Sequence, residues 1–173
     1  MKKAYVILGF EGSGSVFIAK TISFVMGSCS FFGEWNGYGF NKKLGENNIV
    51  LHRSIPVMRP KQWHDEPDEI KKIFIQYDQI KFIIATRDIS ASIISRVERF
   101  GGNLESYQKD NLRAKKLFAK IIKNEDFFIW NYETMLALEN IYFQQLYKWL
   151  SVKSDFIPEL KDGNKKYFKS NII

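Results

Sequence analysis

Short apolar runs rich in β-branched residues alternate along the chain with longer segments in which apolar residues recur every three or four positions. The short runs predict strands at residues 4–9, 48–52, 81–86 and 127–130. The longer segments predict helices at residues 15–26, within 65–78, and at 89–100, 104–123 and 138–150. This alternation predicts an α/β fold in which helices cover both faces of a parallel sheet.

Polar residues follow each predicted strand, at the point where that strand ends. In chain order they include the run Gly12 to Ser15, then His52 with Arg53, then Arg87, and finally Tyr132 with Glu133. In open parallel sheets, ligands bind outside the carboxyl ends of the strands. We therefore expect these side chains to meet at one edge of the sheet.

The first of these turns is a glycine loop, GFEGSGSV, at residues 9–16. It has the spacing of the phosphate loop GxxxxGK[ST], but Ser15 replaces the lysine and Val16 replaces the hydroxyl residue that holds Mg²⁺ in nucleoside triphosphate enzymes. Backbone amides at a helix N-terminus and two serine hydroxyls remain, which is still an anion site. Such a loop suits a phosphate that is bound but not transferred, without a metal. A tight turn whose glycines serve only packing is the alternative.

Arg87 ends the third predicted strand, and Ser95 lies eight residues later, about two turns into the following helix. The planar guanidinium of arginine suits phosphate, and a serine on the near face of the helix adds a hydroxyl. The alternative is a surface ion pair between Arg87 and Asp88 or Glu98.

This arginine–serine pair resembles the PAPS-dependent sulfotransferases, where PAPS is 3′-phosphoadenosine 5′-phosphosulfate. In that family a strand ends in arginine, a serine follows eight residues later, and the two grip the 3′-phosphate of the donor. The resemblance implies this role for Arg87 and Ser95. Ile89 stands where the family commonly has proline.

The glycine loop is similar to the family's Lys/Arg-Ser-Gly-Thr-Thr loop, which cradles the 5′-phosphosulfate. Ser13, Gly14 and Ser15 match that loop. Gly12 stands at the position of the usual cation, and Val16 at that of the second hydroxyl. The resemblance thus implies a donor-binding loop at Gly12–Ser15 that lacks its own positive charge.

Two further segments resemble the family. NIVLHRSIP, residues 48–56, is similar to a strand ending in Thr-His-Leu-Pro, whose histidine is the catalytic base, and His52 falls on it. FFIWNYETM, residues 127–135, looks like the strand followed by Tyr-Glu, which implies that Tyr132 lies near the adenine. The family's C-terminal Arg-Lys-Gly segment has no clear counterpart, although Lys165 and Lys166 are candidates to replace it.

Together these resemblances imply a sulfotransferase that moves a sulfuryl group from PAPS to an acceptor hydroxyl by in-line displacement. His52 would be the base, adenosine 3′,5′-bisphosphate the product, and no metal is expected. Arg53 and Lys20 are candidates for the missing loop cation. A lone histidine is also often structural, so a structural role for His52 stays open.

The acceptor is expected to be a hydroxyl-bearing small molecule or a glycan, because residues 31–48 are rich in glycine and in aromatic residues that stack on rings. These aromatics include Trp35, Tyr38 and Phe40, and an equal alternative is that they cap the core. Other functions stay open: a degenerate, non-catalytic nucleotide-binding P-loop protein, or a small-molecule kinase, which lacks its lysine and Mg²⁺ ligand. Nucleic-acid binding is not expected, since it would rest on charge alone.

Composition adds limits to this picture. The 173 residues fit a single domain over residues 1–173, and the formal charge of +7 favours anionic partners. No apolar run approaches the length of a membrane span, and no signal peptide is evident, so a cytoplasmic location is expected. Cys29 is the lone cysteine, which excludes an internal disulfide. The oligomeric state is not predicted.

Overall fold

The structure is a computed structural model that describes residues 1–27, 48–55 and 67–167, together with the backbone of residues 30–34. Its elements are β1 (Lys3–Gly9), α1 (Ser15–Met26), β2 (Ser30–Glu34), β3 (Ile49–Ser54), α2 (Pro67–Ile73), β4 (Gln79–Thr86), α3 (Ile89–Phe100), α4 (Leu104–Asn124), β5 (Phe127–Asn131), α5 (Tyr132–Leu138) and α6 (Asn140–Leu150). The predicted α/β class is confirmed. No helix in these ranges is both long and apolar enough to cross a membrane.

All strand pairs in the sheet are parallel, and their order is β2-β3-β1-β4-β5. The chain therefore builds one half of the sheet beside β1 and then crosses to build the other half. Such a switch in strand order opens a crevice at the carboxyl ends of the central strands.

Side chains alternate along each strand and build a separate core on each face of the sheet. On one face, Val6 and Leu8 of β1 pack with residues of α2 and α4, such as Ile70 and Leu117. On the other face, Ile7 packs with residues of α1, α5 and α6. The fully buried Trp130 of β5 belongs to this second core and stacks on Tyr142, with ring centroids 4.8 Å apart. The helices on both faces hold the strand ends in fixed positions.

Two features depart from the predicted elements. β2 is an edge strand in a segment for which the sequence pattern predicts no strand, and it pairs with β3. The predicted helix at residues 138–150 begins at Asn140, and the separate helix α5 precedes it. The break between them falls at Glu139, whose φ of 40° is incompatible with a continuing right-handed helix. α5 begins where the Asn131 side chain accepts a hydrogen bond from the Thr134 amide at 2.8 Å.

Candidate functional site

A cleft of about 570 Å³ opens at the carboxyl ends of β1, β3 and β4. It is lined by Glu11, Gly12, Gly14, Ser15, Val16, Phe17, Lys20, His52, Ser54, Arg87, Ser95 and Arg99. Five segments of the chain thus contribute: the glycine loop, α1, β3, the turn after β4, and α3. Most of the residues predicted from the strand ends come together in this one place.

The glycine loop presents the start of α1 to the cleft. Gly12 and Gly14 have φ values of 83° and 84°, which glycine adopts without the strain that other residues would meet. Gly14 is the N-cap, so no side chain at that position occupies the amides of the first turn. The Ile18 amide bonds to the Gly14 carbonyl at 3.2 Å, so the amides before it have no carbonyl acceptor within the helix. This end of α1 is therefore suited to bind an anion.

The two serines of the loop take different positions. Ser13 is fully buried, and a Cβ added to Gly9 would lie only 2.3 Å from its hydroxyl oxygen. Its amide donates to the Phe10 carbonyl at 2.9 Å. Ser13 therefore supports the turn from inside, whereas Ser15 lines the cleft.

His52 lies in β3, next to the glycine loop, and pairs in register with Ile7 of β1. It is 6% exposed and lines the cleft together with Ser54, two residues further along the same strand. Arg53, between them, is 3% exposed and is directed toward the opposite face of the sheet. Arg53 is thus badly placed to replace the missing cation of the loop.

Arg87 joins the glycine loop to the C-terminal part of the chain. Its Nη1 donates to the Gly12 carbonyl at 2.9 Å, and its Nε donates to Asn164 Oδ1 at 2.6 Å. Ser95 of α3 is also adjacent to the loop, since a Cβ on Gly12 would lie 3.4 Å from its hydroxyl oxygen. Arg87 and Ser95 therefore meet at Gly12.

Asp88 and Glu98, the alternative ion-pair partners of Arg87, have other partners in the structure. The carboxylate of Asp88 instead caps α3 by accepting from the Ala91 amide at 2.9 Å. The carboxylate of Glu98 lies 3.6 Å from Lys166 Nζ. Arg87 is thus directed inward, to the loop and the cleft.

Tyr132 lies beside the glycine loop and is not one of the residues that line the cleft. A Cβ on Gly14 would be 3.4 Å from its ring, and the Arg87 guanidinium carbon lies 4.7 Å from the ring centroid. The phenol donates to the Lys161 carbonyl at 2.6 Å and accepts from the Gly163 amide at 2.8 Å. Tyr132 therefore holds the C-terminal segment against the loop.

Residues 161–167 form a turn that contacts Arg87 through Asn164, whereas the sequence analysis named only Lys165 and Lys166 in this segment. Asn164 is the buried residue of this turn, at 8% exposure, while Lys165 and Lys166 are exposed. Neither lysine lines the cleft within the described chain. The signal for this turn was Asp-Gly-Asn at residues 162–164, a common turn sequence, but nothing in it indicates Arg87 as the partner.

Positive charge predominates in the cleft. Lys20 and Arg99 join Arg87 in the lining, and Glu11 is the acidic lining residue. Glu11 lies 3.4 Å from the buried guanidinium of Arg96, which also pairs with Asp110 at 3.0 Å. Arg99 was missed by the sequence analysis, although it lies one turn after Ser95 and therefore on the same side of α3. The loop lacks its own cation, but two neighbouring helices bring cations to it.

The site thus belongs to an α/β fold with a glycine-rich turn after its first strand, and solved structures define this fold more closely. The chain matches the crystal structure of the mouse sulfotransferase SULT7A1 complexed with PAP, with a TM-score of 0.56 and 8% sequence identity. The match covers 96% of this chain, and it spans 63% of the length of that protein. The chain therefore shares its fold with that sulfotransferase. No family model matches the sequence, and no curated protein matches it.

Proposed function

We propose that this protein binds PAPS and transfers its sulfuryl group to a hydroxyl of a small-molecule acceptor, with a glycan hydroxyl as one candidate. One observation carries the proposal: the amides at the start of α1, the Arg87–Ser95 pair and His52 face a single cleft. The fold match to a sulfotransferase that was crystallised with PAP supports it.

The residues of the cleft fit a doubly phosphorylated nucleotide. The free amides at the start of α1 and the Ser15 hydroxyl are suited to the 5′-phosphate end. Arg87 and Ser95, which meet on the other side of Gly12, are suited to the 3′-phosphate. Glu11 is the single acidic group among the described lining residues, and three cations outnumber it, so the net charge of the lining favours an anion.

When bound, PAPS supplies a sulfuryl group attached to phosphate through an anhydride. His52 accepts the proton of the acceptor hydroxyl, a role that typically contributes about 10²–10⁴-fold to a rate. The amides of α1 and the charges of Lys20 and Arg99 stabilise negative charge on the departing phosphate. Tyr132, whose ring borders Gly14, stands beside the proposed adenine position.

Calorimetry with adenosine 3′,5′-bisphosphate, AMP and ATP tests the donor site. We expect adenosine 3′,5′-bisphosphate to bind most tightly and without Mg²⁺. Arg87→Ala should weaken its binding about 10- to 100-fold, because a charge-assisted contact to the 3′-phosphate is lost. AMP, which lacks that phosphate, should be affected much less. Arg113→Ala, on the exposed side of α4, is the matched control and should leave both affinities unchanged.

Equal losses for both nucleotides would remove Arg87 from the 3′-phosphate. Release of adenosine 3′,5′-bisphosphate from PAPS, followed across a panel of hydroxyl acceptors, then tests the transfer itself. Tight nucleotide binding without transfer to any acceptor would identify a non-catalytic binding protein. ATP turnover that requires Mg²⁺ would identify a kinase.

A further inference from the structure

Asn164 connects Arg87 to a chain of hydrogen bonds that returns to the residue after Arg87. Its Oδ1 accepts from Arg87 Nε at 2.6 Å, and its Nδ2 donates to Glu133 Oε1 at 2.7 Å. The same carboxylate oxygen of Glu133 accepts from the Asp88 amide at 3.0 Å. The backbone amide of Asn164 in turn donates to Asp162 Oδ1 at 2.9 Å. Both ends of the Asn164 carboxamide are therefore fixed.

These contacts determine how the Arg87 guanidinium is oriented. Nε is bonded to Asn164 and Nη1 to the Gly12 carbonyl, while the rings of Tyr132 and Tyr167 lie 4.7 and 5.4 Å from the guanidinium carbon. A guanidinium has five N–H donors, so the second hydrogen of Nη1 and both hydrogens of Nη2 remain for a ligand. Held at two of its nitrogens, the group cannot rotate freely away from the cleft.

The chemistry of the carboxamide matters as much as its position. A neutral asparagine accepts a hydrogen bond from Arg87 without neutralising its charge, so the full charge remains for a phosphate. An aspartate in the same place would form an ion pair with Arg87 and repel an incoming phosphate. Burial of Asn164, at 8% exposure, shields its two hydrogen bonds from competition with water.

We propose that Asn164 is a positioning residue that orients Arg87 toward the 3′-phosphate and so determines the preference for adenosine 3′,5′-bisphosphate over AMP. This inference rests on the proposed function, because it presumes that Arg87 binds that phosphate. Asn164 acts through Arg87 and needs no contact of its own with the nucleotide.

The test compares the affinities for adenosine 3′,5′-bisphosphate and AMP, by calorimetry, in Asn164→Ala, Asn164→Asp, Arg87→Ala and the double variant Arg87→Ala/Asn164→Ala. Asn164→Ala should lower the ratio of the two affinities about three- to tenfold, the effect of one hydrogen bond. Asn164→Asp, nearly identical in shape, should lower the ratio further, because its carboxylate would pair with Arg87, repel the 3′-phosphate and lose the hydrogen bond to Glu133. In the Arg87→Ala background, the change at Asn164 should have no additional effect on the ratio.

Asn140→Ala, at the exposed start of α6, is the matched control and should leave the ratio unchanged. Three results would each overturn the inference. The first is an equal loss of affinity for both nucleotides in Asn164→Ala, and the second is a fall in the affinity ratio that Asn164→Ala still causes in the Arg87→Ala background. The third is an affinity ratio in Asn164→Asp at or above the wild-type value. If the wild-type protein itself does not prefer adenosine 3′,5′-bisphosphate, the proposed function fails as well. If the wild-type protein does prefer adenosine 3′,5′-bisphosphate and the affinity ratio is unchanged by substitution of Asn164, only the role of Asn164 fails.

Discussion

At the scale of single residues, the proposed reaction separates His52, which moves a proton, from the groups that hold the nucleotide. His52 lies on β3, whereas the amides, Arg87 and Ser95 belong to other parts of the chain. His52→Ala should therefore slow transfer about 10²- to 10⁴-fold and leave the affinity for adenosine 3′,5′-bisphosphate nearly unchanged. Turnover with PAPS and calorimetry with the product nucleotide measure the two effects.

The variant His52→Asn is the control, since it keeps a polar side chain of similar reach but removes the base. It should lose transfer as His52→Ala does while retaining the thermal stability of the wild type. A collapse of nucleotide affinity in both variants would show instead that the histidine is structural.

The sequence predicted which residues reach the cleft better than it predicted where their side chains point. Strand ends brought His52, Arg87 and the glycine loop to one edge because parallel strands share a direction. The inward direction of Ser13 depends on the left-handed φ of the glycines around it, which spacing alone does not reveal. Asn164 is separated from Arg87 by 77 residues, so their contact depends on the tertiary fold and no local sequence pattern predicts it.

At the scale of elements, Gly9 determines how closely β1 approaches β4. A Cβ at this position would lie 2.8 Å from the Ala85 carbonyl oxygen and 2.3 Å from the Ser13 hydroxyl. Gly9→Ala should therefore lower the free energy of unfolding by about 2–3 kcal/mol, because the strand ladder and the loop cannot both move away. Urea-induced unfolding measures this change.

Gly27→Ala is the matched control for Gly9→Ala. Gly27 ends α1 with a φ of 60°, and nothing lies within 4 Å of an added Cβ. The cost there should be only the backbone strain of about 1 kcal/mol. A loss at Gly9 no larger than that at Gly27 would contradict the crowding derived for the end of β1.

The elements that the sequence predicted are those whose apolar pattern extends over a buried face. β1, α1, β4, α3, α4 and β5 all appear close to their predicted positions. β2 was missed because it is short and lies inside a glycine-rich segment. It is an edge strand that pairs with a single neighbouring strand, so it needs no long apolar run. The break at Glu139 was missed because a positive φ at a glutamate has no signature in the pattern.

At the scale of the whole molecule, the fold is retained where almost all side chains differ. At 8% identity, the match to SULT7A1 covers 96% of this chain, so the two proteins share an overall fold although few of their residues are identical. The remaining 37% of that protein has no counterpart in the match. Here the segment after α6 returns to the cleft, where residues 161–167 contact Arg87 and Tyr132.

The return of this segment begins at α6. The Tyr147 phenol, on a side chain that is 1% exposed, donates to the Phe156 carbonyl at 2.6 Å. Gln144 Nε2 donates to the Ser154 carbonyl at 2.9 Å, and the Phe156 ring packs on Phe24 of α1 with centroids 4.3 Å apart. These contacts fix the start of the path that ends at Asn164.

Tyr147→Phe tests this attachment through its dependence on pH. Burial raises the pKa of Tyr147 to about 12, above the value near 10 expected in the unfolded chain. The folded state thus holds the phenol proton more tightly than the unfolded chain does. The stability that the protonated Tyr147 contributes is therefore fully present below about pH 10 and is lost as the pH rises toward about 12. At about pH 8, Tyr147→Phe should lower the free energy of unfolding by about 1 kcal/mol, since one buried hydrogen bond is lost. Above about pH 10 the free energy of unfolding of the wild type should fall faster than that of the variant, so the difference between the two proteins should narrow. Urea unfolding across this pH range measures this difference. A constant difference would mean that Tyr147 ionises with the same pKa in the folded and unfolded states.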